Sequence, residues 1–163
     1  MKWVTRERPK IDRVACPWLI ERFIDPGAEF LFAPADEVQR VAREVDAIPY
    51  DVEGVELSHD GPLCSFDALL KRHELHDPSL ESLAVIVRGA DTAQLGLAPE
   101  CAGLLAISLG MSRLYTDDHE QIRSAFVIYD ALYAWLRYAR DETHSWNPQR
   151  KPDTVRSRES ELR

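Results

Sequence analysis

Histidine and carboxylate side chains that could bind a metal ion occur in several separate segments of the sequence. Imidazole and carboxylate together suit borderline and harder divalent cations, which favours Zn, Mn or Fe. Glu56 and His59 have the i, i+3 spacing found in carboxylate-bridged metal sites on helices. The flanking Gly54 and Gly61, however, disfavour a full helix there. We predict a metal site formed from Glu56, His59, Cys64, Asp67, Asp91, Asp118 and His119.

The same residues also have ordinary structural interpretations, and the sequence leaves both readings open. His59 could be a turn residue, while Asp67 and Asp118 could lie in the first turns of helices as dipole partners. Asp91 could pair with Arg88 at the end of a helix. Neither histidine of the set is needed as a helix cap, so the two histidines are its strongest members.

A second candidate site combines Arg13 with Cys16, just before Pro17. A thiol at a helix N-terminus near a guanidinium can have a lowered pKa, and free N–H groups there can receive an oxyanion. We therefore predict a catalytic or oxyanion-binding role for Cys16 and Arg13. The alternatives are that Cys16 is a small buried hydrophobe and that Arg13 pairs with neighbouring acids. Cys64 could likewise pack at a helix start or serve as a ligand or redox partner.

The elements that must position these residues are mostly helical. Pro17 suits the first position of a helix over residues 17–24, which would make Cys16 its N-cap. Residues 29–32 are short, aromatic and bounded by turn residues, so they could form a strand that pairs with residues 52–57. Further helices are predicted over residues 35–45, 65–75, 78–88, 102–109 and 117–136. The fold class is therefore all-α or mainly α, a single-domain helical bundle that could include one short two-stranded β-element.

Two of these helices have distinctive apolar patterns. Residues 102–109 are almost entirely apolar, so we expect a central helix buried on most sides. Apolar residues between Ile122 and Leu136 recur at alternating steps of four and three, which predicts one continuous apolar face. That face would pack against the central helix or, alternatively, against a second copy in a homodimer.

Charge and composition limit the classes of function. A net charge of −8 repels the phosphate backbone, so we expect no independent nucleic-acid binding. No apolar run approaches the roughly 20 residues that span a bilayer, and the first residues do not resemble a secretory leader. Three widely spaced cysteines favour reduced thiols and a cytoplasmic location. We expect one domain over residues 1–140 and a flexible charged tail over residues 141–163.

Six blocks of sequence stand out in order along the chain: DRVACPWLIERFID (12–25), GVELSHDGPLCSFD (54–67), IVRGADT (86–92), AGLLAISLGMSRL (102–114), DDHE (117–120) and VIYDALYAW (127–135). Together these blocks resemble the chromate resistance protein ChrB C-terminal domain family. The resemblance extends over about residues 3 to 140, and several blocks in order are more specific than any one short motif.

This resemblance implies a role in bacterial chromate resistance. Combined with the His/carboxylate set, it leads us to expect a metal-dependent oxidoreductase acting on chromate. The alternative is a non-enzymatic sensor that binds the oxyanion and works with a DNA-binding partner. Full-length regulators of this family carry an additional N-terminal domain, to which nucleic-acid binding is ascribed. The family resemblance therefore leaves enzyme and sensor both open.

Overall fold

The computed structural model describes residues 1–142, in which helices predominate. The strands are Lys2–Arg6 (β1), Glu29–Ala33 (β2) and Ala47–Pro49 (β3). The α-helices are Asp12–Leu19 (α1), Val38–Val45 (α2), Ser65–Arg72 (α3), Pro78–Asp91 (α4), Cys101–Leu114 (α5) and Asp118–Tyr138 (α6). The prediction of a mainly α fold with a short β-element is thus confirmed. The predicted tail, residues 141–163, lies almost wholly outside the described residues.

The small sheet is parallel, with β1 in the middle in the order β2-β1-β3. Trp3 of β1 is level with Phe30 of β2 and Ile48 of β3. Trp3 and Val4 are fully buried, because helices cover a parallel sheet on both faces. The predicted pairing of residues 29–32 with 52–57 is wrong. Residues 52–57 form turns and bends. Strand β2 pairs instead with β1, whose residues Trp3 and Val4 are fully buried.

Helix α1 begins at Asp12, so the prediction of a helix start at Pro17 with Cys16 as its N-cap is wrong. A proline inside a helix costs a backbone hydrogen bond. Here seven of the eight residues of α1 are buried, and that burial outweighs the lost bond. After α1 the chain continues as a π-helical turn, Ile20–Ile24, which the Asp25 N–H closes on the Ile20 carbonyl at 2.7 Å.

Helix α4 runs past Gly89, where the sequence predicted its end, and reaches Asp91. A Cβ atom at Gly89 would lie 2.3 Å from the Cys101 Sγ, so glycine is what allows α4 and α5 to approach each other. Only Cys101, Leu104 and Ser108 of α5 are buried, and the prediction of a helix buried on most sides is wrong. Within residues 1–142, α5 packs on one side only and its opposite side is exposed.

Helix α6 supplies the predicted continuous apolar face. Ile122, Phe126, Tyr129 and Tyr133 are buried in the main core, in which Trp18 of α1 lies close to both tyrosine rings. This face is covered from within the chain rather than by a second copy. No helix in residues 1–142 is both long enough and apolar enough to cross a membrane.

Candidate metal centre

Two aspartates lie at the carboxyl ends of neighbouring parallel strands. Asp12 follows the loop after β1, and Asp51 follows β3 after one intervening residue. From β1 the chain moves to β2 on one side of the sheet and then crosses to β3 on the other side. The crevice between β1 and β3 is therefore the point where the strand order reverses, which is where open parallel sheets bind ligands.

His59 brings a third segment to this crevice, and Asp91 at the end of α4 brings a fourth. The His59 Nε2 lies 3.2 Å from Asp91 Oδ2, 3.4 Å from Asp51 Oδ1 and 3.7 Å from Asp12 Oδ2. Among the described residues, Asp12, His59 and Asp91 each offer one potential ligand atom, and these three atoms all lie within 4.8 Å of one another. Asp12 is fully buried and the His59 side chain is 40% exposed, so the site opens to solvent past the imidazole.

Helix α3 fixes the carboxylate of Asp12 in place. The Ser65 N–H donates to Asp12 Oδ2 at 2.7 Å, and the Phe66 N–H donates to Oδ1 at 3.0 Å. Both donors belong to the first turn of α3, whose partial positive charge stabilises an acid there. The Cys16 Sγ lies 3.3 Å from Oδ1, one turn further along α1. Asp12 is thus rigidly oriented toward the crevice.

Crowding of the acids makes full ionisation costly. Burial, together with the charges of Asp51 and Asp91, raises the pKa of Asp12 to about 7. Burial and the charge of Asp51 also raise the pKa of Asp91, although the nearby His59 opposes the shift. Asp12 therefore tends to retain its proton near neutral pH.

Two guanidinium groups neutralise only one member of the cluster. Arg6 Nη2 lies 3.0 Å and Arg13 Nε lies 3.3 Å from Asp51 Oδ2. Arg13 Nη1 also donates to the carbonyl oxygens of Arg6 and Glu7. In the ion pairs of the described residues, Asp12 and Asp91 therefore pair with His59 and not with an arginine.

The backbone around the crevice is strained. Arg8, Ile11 and Asp51 have φ values of 56°, 37° and 48°, a region that is unfavourable for a β-branched residue such as isoleucine. The Tyr129 hydroxyl donates to the Ile11 carbonyl at 3.1 Å and helps to hold this conformation. Strained residues of this kind cluster at functional sites, where the surrounding structure over-determines them.

Three of the predicted ligands lie apart from this cluster. His119 is exposed on α6 and packs its ring edge-to-face against Phe32, with ring centroids 5.1 Å apart. Asp118 accepts a hydrogen bond from the Arg8 N–H at 3.0 Å. Glu56 lies 3.4 Å from Arg72 in an exposed ion pair. The structure therefore brings His59 and Asp91 together but does not add His119, Asp118 or Glu56 to them.

Cys64 and Asp67 cap helix α3. Cys64 is the N-cap residue, and its N–H donates to Asp67 Oδ2 at 3.0 Å. Arg88 binds Asp67 Oδ1 at 2.6 Å, so Arg88 pairs with Asp67 rather than with Asp91. Both capping residues line a cleft of about 750 Å³, whose lining does not include His59. We locate the candidate site at the His59 cluster, where potential ligand atoms converge, and not in this wider cleft.

The buried cysteines do not have the environment of reactive thiols. Cys16 lies in the interior of α1, and burial together with the charge of Asp12 raises its pKa. Burial likewise raises the pKa of Cys64. The expected lowered pKa of Cys16 is therefore wrong, since that expectation placed the thiol at a helix N-terminus. Arg13, for its part, is engaged with Asp51 and two carbonyl groups.

Sequence reasoning missed Asp12 and Asp51 as members of the site. Both follow strands of a parallel sheet, but the sequence patterns predict no strand over residues 2–6. Recognising Trp3–Thr5 as a buried strand would have placed both acids at one sheet edge.

Comparison with known proteins gives a consistent result. A family model described as "ChrB, C-terminal domain" matches residues 3–136. The "Protein ChrB" of Cupriavidus metallidurans is 33% identical over 133 residues, which are 81% of this chain and 40% of that protein. The chain thus spans about two fifths of the length of this relative. No solved structure matches this chain.

Proposed function

This chain belongs to the ChrB C-terminal domain family, and we propose that it is a divalent-metal-binding domain that acts in chromate resistance. Asp12, His59 and Asp91 would hold the cation, and Asp51 would border it. The observation that carries the proposal is the convergence of these ligand types from separate segments at the β1/β3 crevice.

The electrostatics of the crevice support a cation rather than a directly bound anion. Three carboxylates surround one imidazole, and the guanidinium groups of Arg6 and Arg13 are both engaged with Asp51. A chromate dianion placed here would meet Asp12 and Asp91 at close range and be repelled. A divalent cation would instead relieve the repulsion that raises the pKa values of these two acids.

The ligand types limit the choice of metal. Two carboxylates and one imidazole suit Zn, Mn or Fe(II), whereas a set rich in thiolates would favour softer ions. Cys16 approaches Asp12 rather than His59, and its buried thiol resists ionisation. Three protein ligands would leave coordination positions for solvent or for an oxyanion on the exposed side of His59.

A sensing role agrees better with the described residues than thiol-based reduction of chromate. All three cysteines are buried, so thiols are poorly placed to deliver electrons to an external oxyanion. In this account the bound cation supplies the positive charge that an oxyanion needs, and the occupied site passes the signal to a DNA-binding partner. A metal-dependent oxidoreductase is the second candidate, for which electrons would come from an added reductant.

The metal claim is tested by titrating metal-free protein with Zn²⁺ and Mn²⁺ in a calorimeter. We expect saturable binding of one ion per chain for at least one of these metals. The His59→Ala variant should bind at least about tenfold more weakly, in line with the loss of a metal ligand. The matched control His119→Ala removes an imidazole that lies against Phe32 outside the cluster, and it should bind like the parent protein.

Three results would count against the proposal. Equal affinity in the parent protein and the His59→Ala variant would show that His59 is not a metal ligand. Absence of binding by the parent protein would show that the cluster holds no metal ion. Loss of binding in His119→Ala alone would assign the metal to another part of the chain. Chromate added to the metal-loaded protein then separates the two roles, since binding without consumption indicates a sensor and turnover with a reductant indicates an enzyme.

A further inference from the structure

Helix α5 presents an apolar face to solvent. The chain carries no charged residue from Cys101 to Ser112, although it has a net charge of −8. Ile107 is 48% exposed and Leu109 is 46% exposed, while Leu114 at the helix end is 77% exposed. An exposed helix face is normally polar, so this surface is suited to a protein contact.

Two glycines on this helix have no explanation within the described part of the chain. A Cβ atom built at Gly103 or at Gly110 meets no heavy atom within 4 Å. Glycine is nevertheless the least favourable residue in a helix interior after proline. Gly89 on α4 differs from them, because its missing side chain makes room for Cys101. The room left at Gly103 and Gly110 is instead open to a helix from outside the chain.

The exposed stripe alternates small and large residues. Gly103, Ile107, Gly110 and Leu114 follow one another at steps of four, three and four, which places them along one side of the helix. If an identical helix crosses in the opposite direction, the Ile107 side chain of each copy meets the space left by a glycine of the other. A two-fold contact requires such a self-complementary surface.

We propose that this face of α5, centred midway between Ile107 and Gly110, is the contact surface of a two-fold dimer of this chain. Charge favours this occupant, because two copies of an acidic chain repel each other except where both surfaces are uncharged. Residues 143–163 are a poor alternative, since they contain eight charged residues and only three large apolar ones, Trp146, Val155 and Leu162.

The size of the surface sets the expected strength. A helix of 14 residues is about 21 Å long and roughly 10 Å wide. Its outer face is smaller than the roughly 800 Å² per partner that a stable interface usually buries. Leu95 and Leu97 are exposed in the loop before α5 and would enlarge the buried area if the contact extended to that loop. We therefore expect a dimer that dissociates in the micromolar range.

The test is analytical ultracentrifugation of the metal-free full chain from micromolar to near-millimolar concentrations. The parent protein should form a dimer reversibly. The Ile107→Lys variant should raise the dissociation constant by about a hundredfold, because it buries an unpaired charge in the contact. The control Val127→Lys changes a residue on α6 that is 66% exposed and should leave the dimer unchanged. Circular dichroism checks that both variants are folded.

A second measurement probes the position of the two-fold axis. In the Ala106→Cys variant the new thiols of the two copies would lie near the axis and within the span of a short bismaleimide, which should therefore link them. The Val127→Cys variant should give no such product. A parent protein that stays monomeric over the whole concentration range would overturn the proposal, and so would an Ile107→Lys variant that dimerises like the parent. Neither result depends on whether the crevice binds a metal.

Discussion

Replacing Asp12 by asparagine should remove a pH dependence that is opposite to that of a salt-bridged acid. The pKa of Asp12 is raised from 3.8 to about 7 in the folded protein. Between these two values the folded state keeps a proton that the unfolded chain has already released. The free energy of unfolding of the metal-free protein should therefore fall as the pH rises from about 4 to about 7.

The shift sets an upper limit on the size of this effect. Each unit of pKa difference corresponds to about 1.4 kcal/mol, so a shift of about three units gives at most about 4 kcal/mol. Asp91, whose pKa is also raised, shares the proton balance with Asp12, so the part of the fall that is due to Asp12 should be smaller than this limit. A bound cation takes the place of the proton. Metal should therefore stabilise the protein more at about pH 8 than at about pH 5.

The assay is urea denaturation at several pH values with a chelator present, repeated with Zn²⁺ or Mn²⁺. Asp12→Asn should be less stable throughout, because an amide cannot accept both N–H groups of α3. It should also lose the fall in stability with pH. His73 contributes in the opposite direction, since burial lowers its pKa, but it does so in both proteins and cancels in the comparison. Asp36→Asn is the matched control, because Asp36 is exposed.

Two outcomes would refute the reasoning. One is a parent protein whose metal-free stability, measured relative to Asp12→Asn, does not fall between about pH 4 and about pH 7. The other is stabilisation by metal that is equally large in the Asp12→Asn variant. Either result would mean that Asp12 is an ordinary cap of α3 and not part of a cation site.

Further predictions concern the thiols and the cap of α4. Because Cys16, Cys64 and Cys101 are buried, a thiol reagent such as Ellman's reagent should react with them far more slowly in native protein than in urea, and rapid native reaction would contradict this. Asp77 caps α4 through the Ser79 N–H at 2.7 Å and also accepts hydrogen bonds from α6, so Asp77→Ala should lower the free energy of unfolding by about 2 kcal/mol in urea denaturation. The exposed control Asp36→Ala should change it by less than about 0.5 kcal/mol, and equal effects of the two substitutions would contradict the capping role.

The helical part of the fold could be predicted from local signals. Asp77 followed by Pro78 is a strong start signal, and α4 begins there. The alternating steps from Ile122 onward gave the buried face of α6 correctly. These features depend on residues close together in sequence, and so they can be read without knowledge of the tertiary structure.

The course of α1, the sheet and the position of the site depend on tertiary contacts, which local sequence patterns do not show. Pro17 looks like a helix start, but α1 continues through it because seven of its eight residues are buried. The strand β1 is a parallel strand, whose partners lie far away in sequence and leave no alternating pattern. Without β1 the position of Asp12 and Asp51 at one sheet edge could not be predicted. His59 and Asp91 were identified by residue type alone, and for the same reason His119 was included with them.

An anomalous diffraction experiment at the absorption edge of the bound metal tests the central claim most directly. Crystals of the metal-loaded chain should give one strong peak in the crevice. That peak should lie about 2.0–2.3 Å from a nitrogen of His59 and from carboxylate oxygens of Asp12 and Asp91. A peak at His119 or in the cleft beside Cys64, or an empty crevice in crystals soaked with Zn²⁺ and Mn²⁺, would contradict the account.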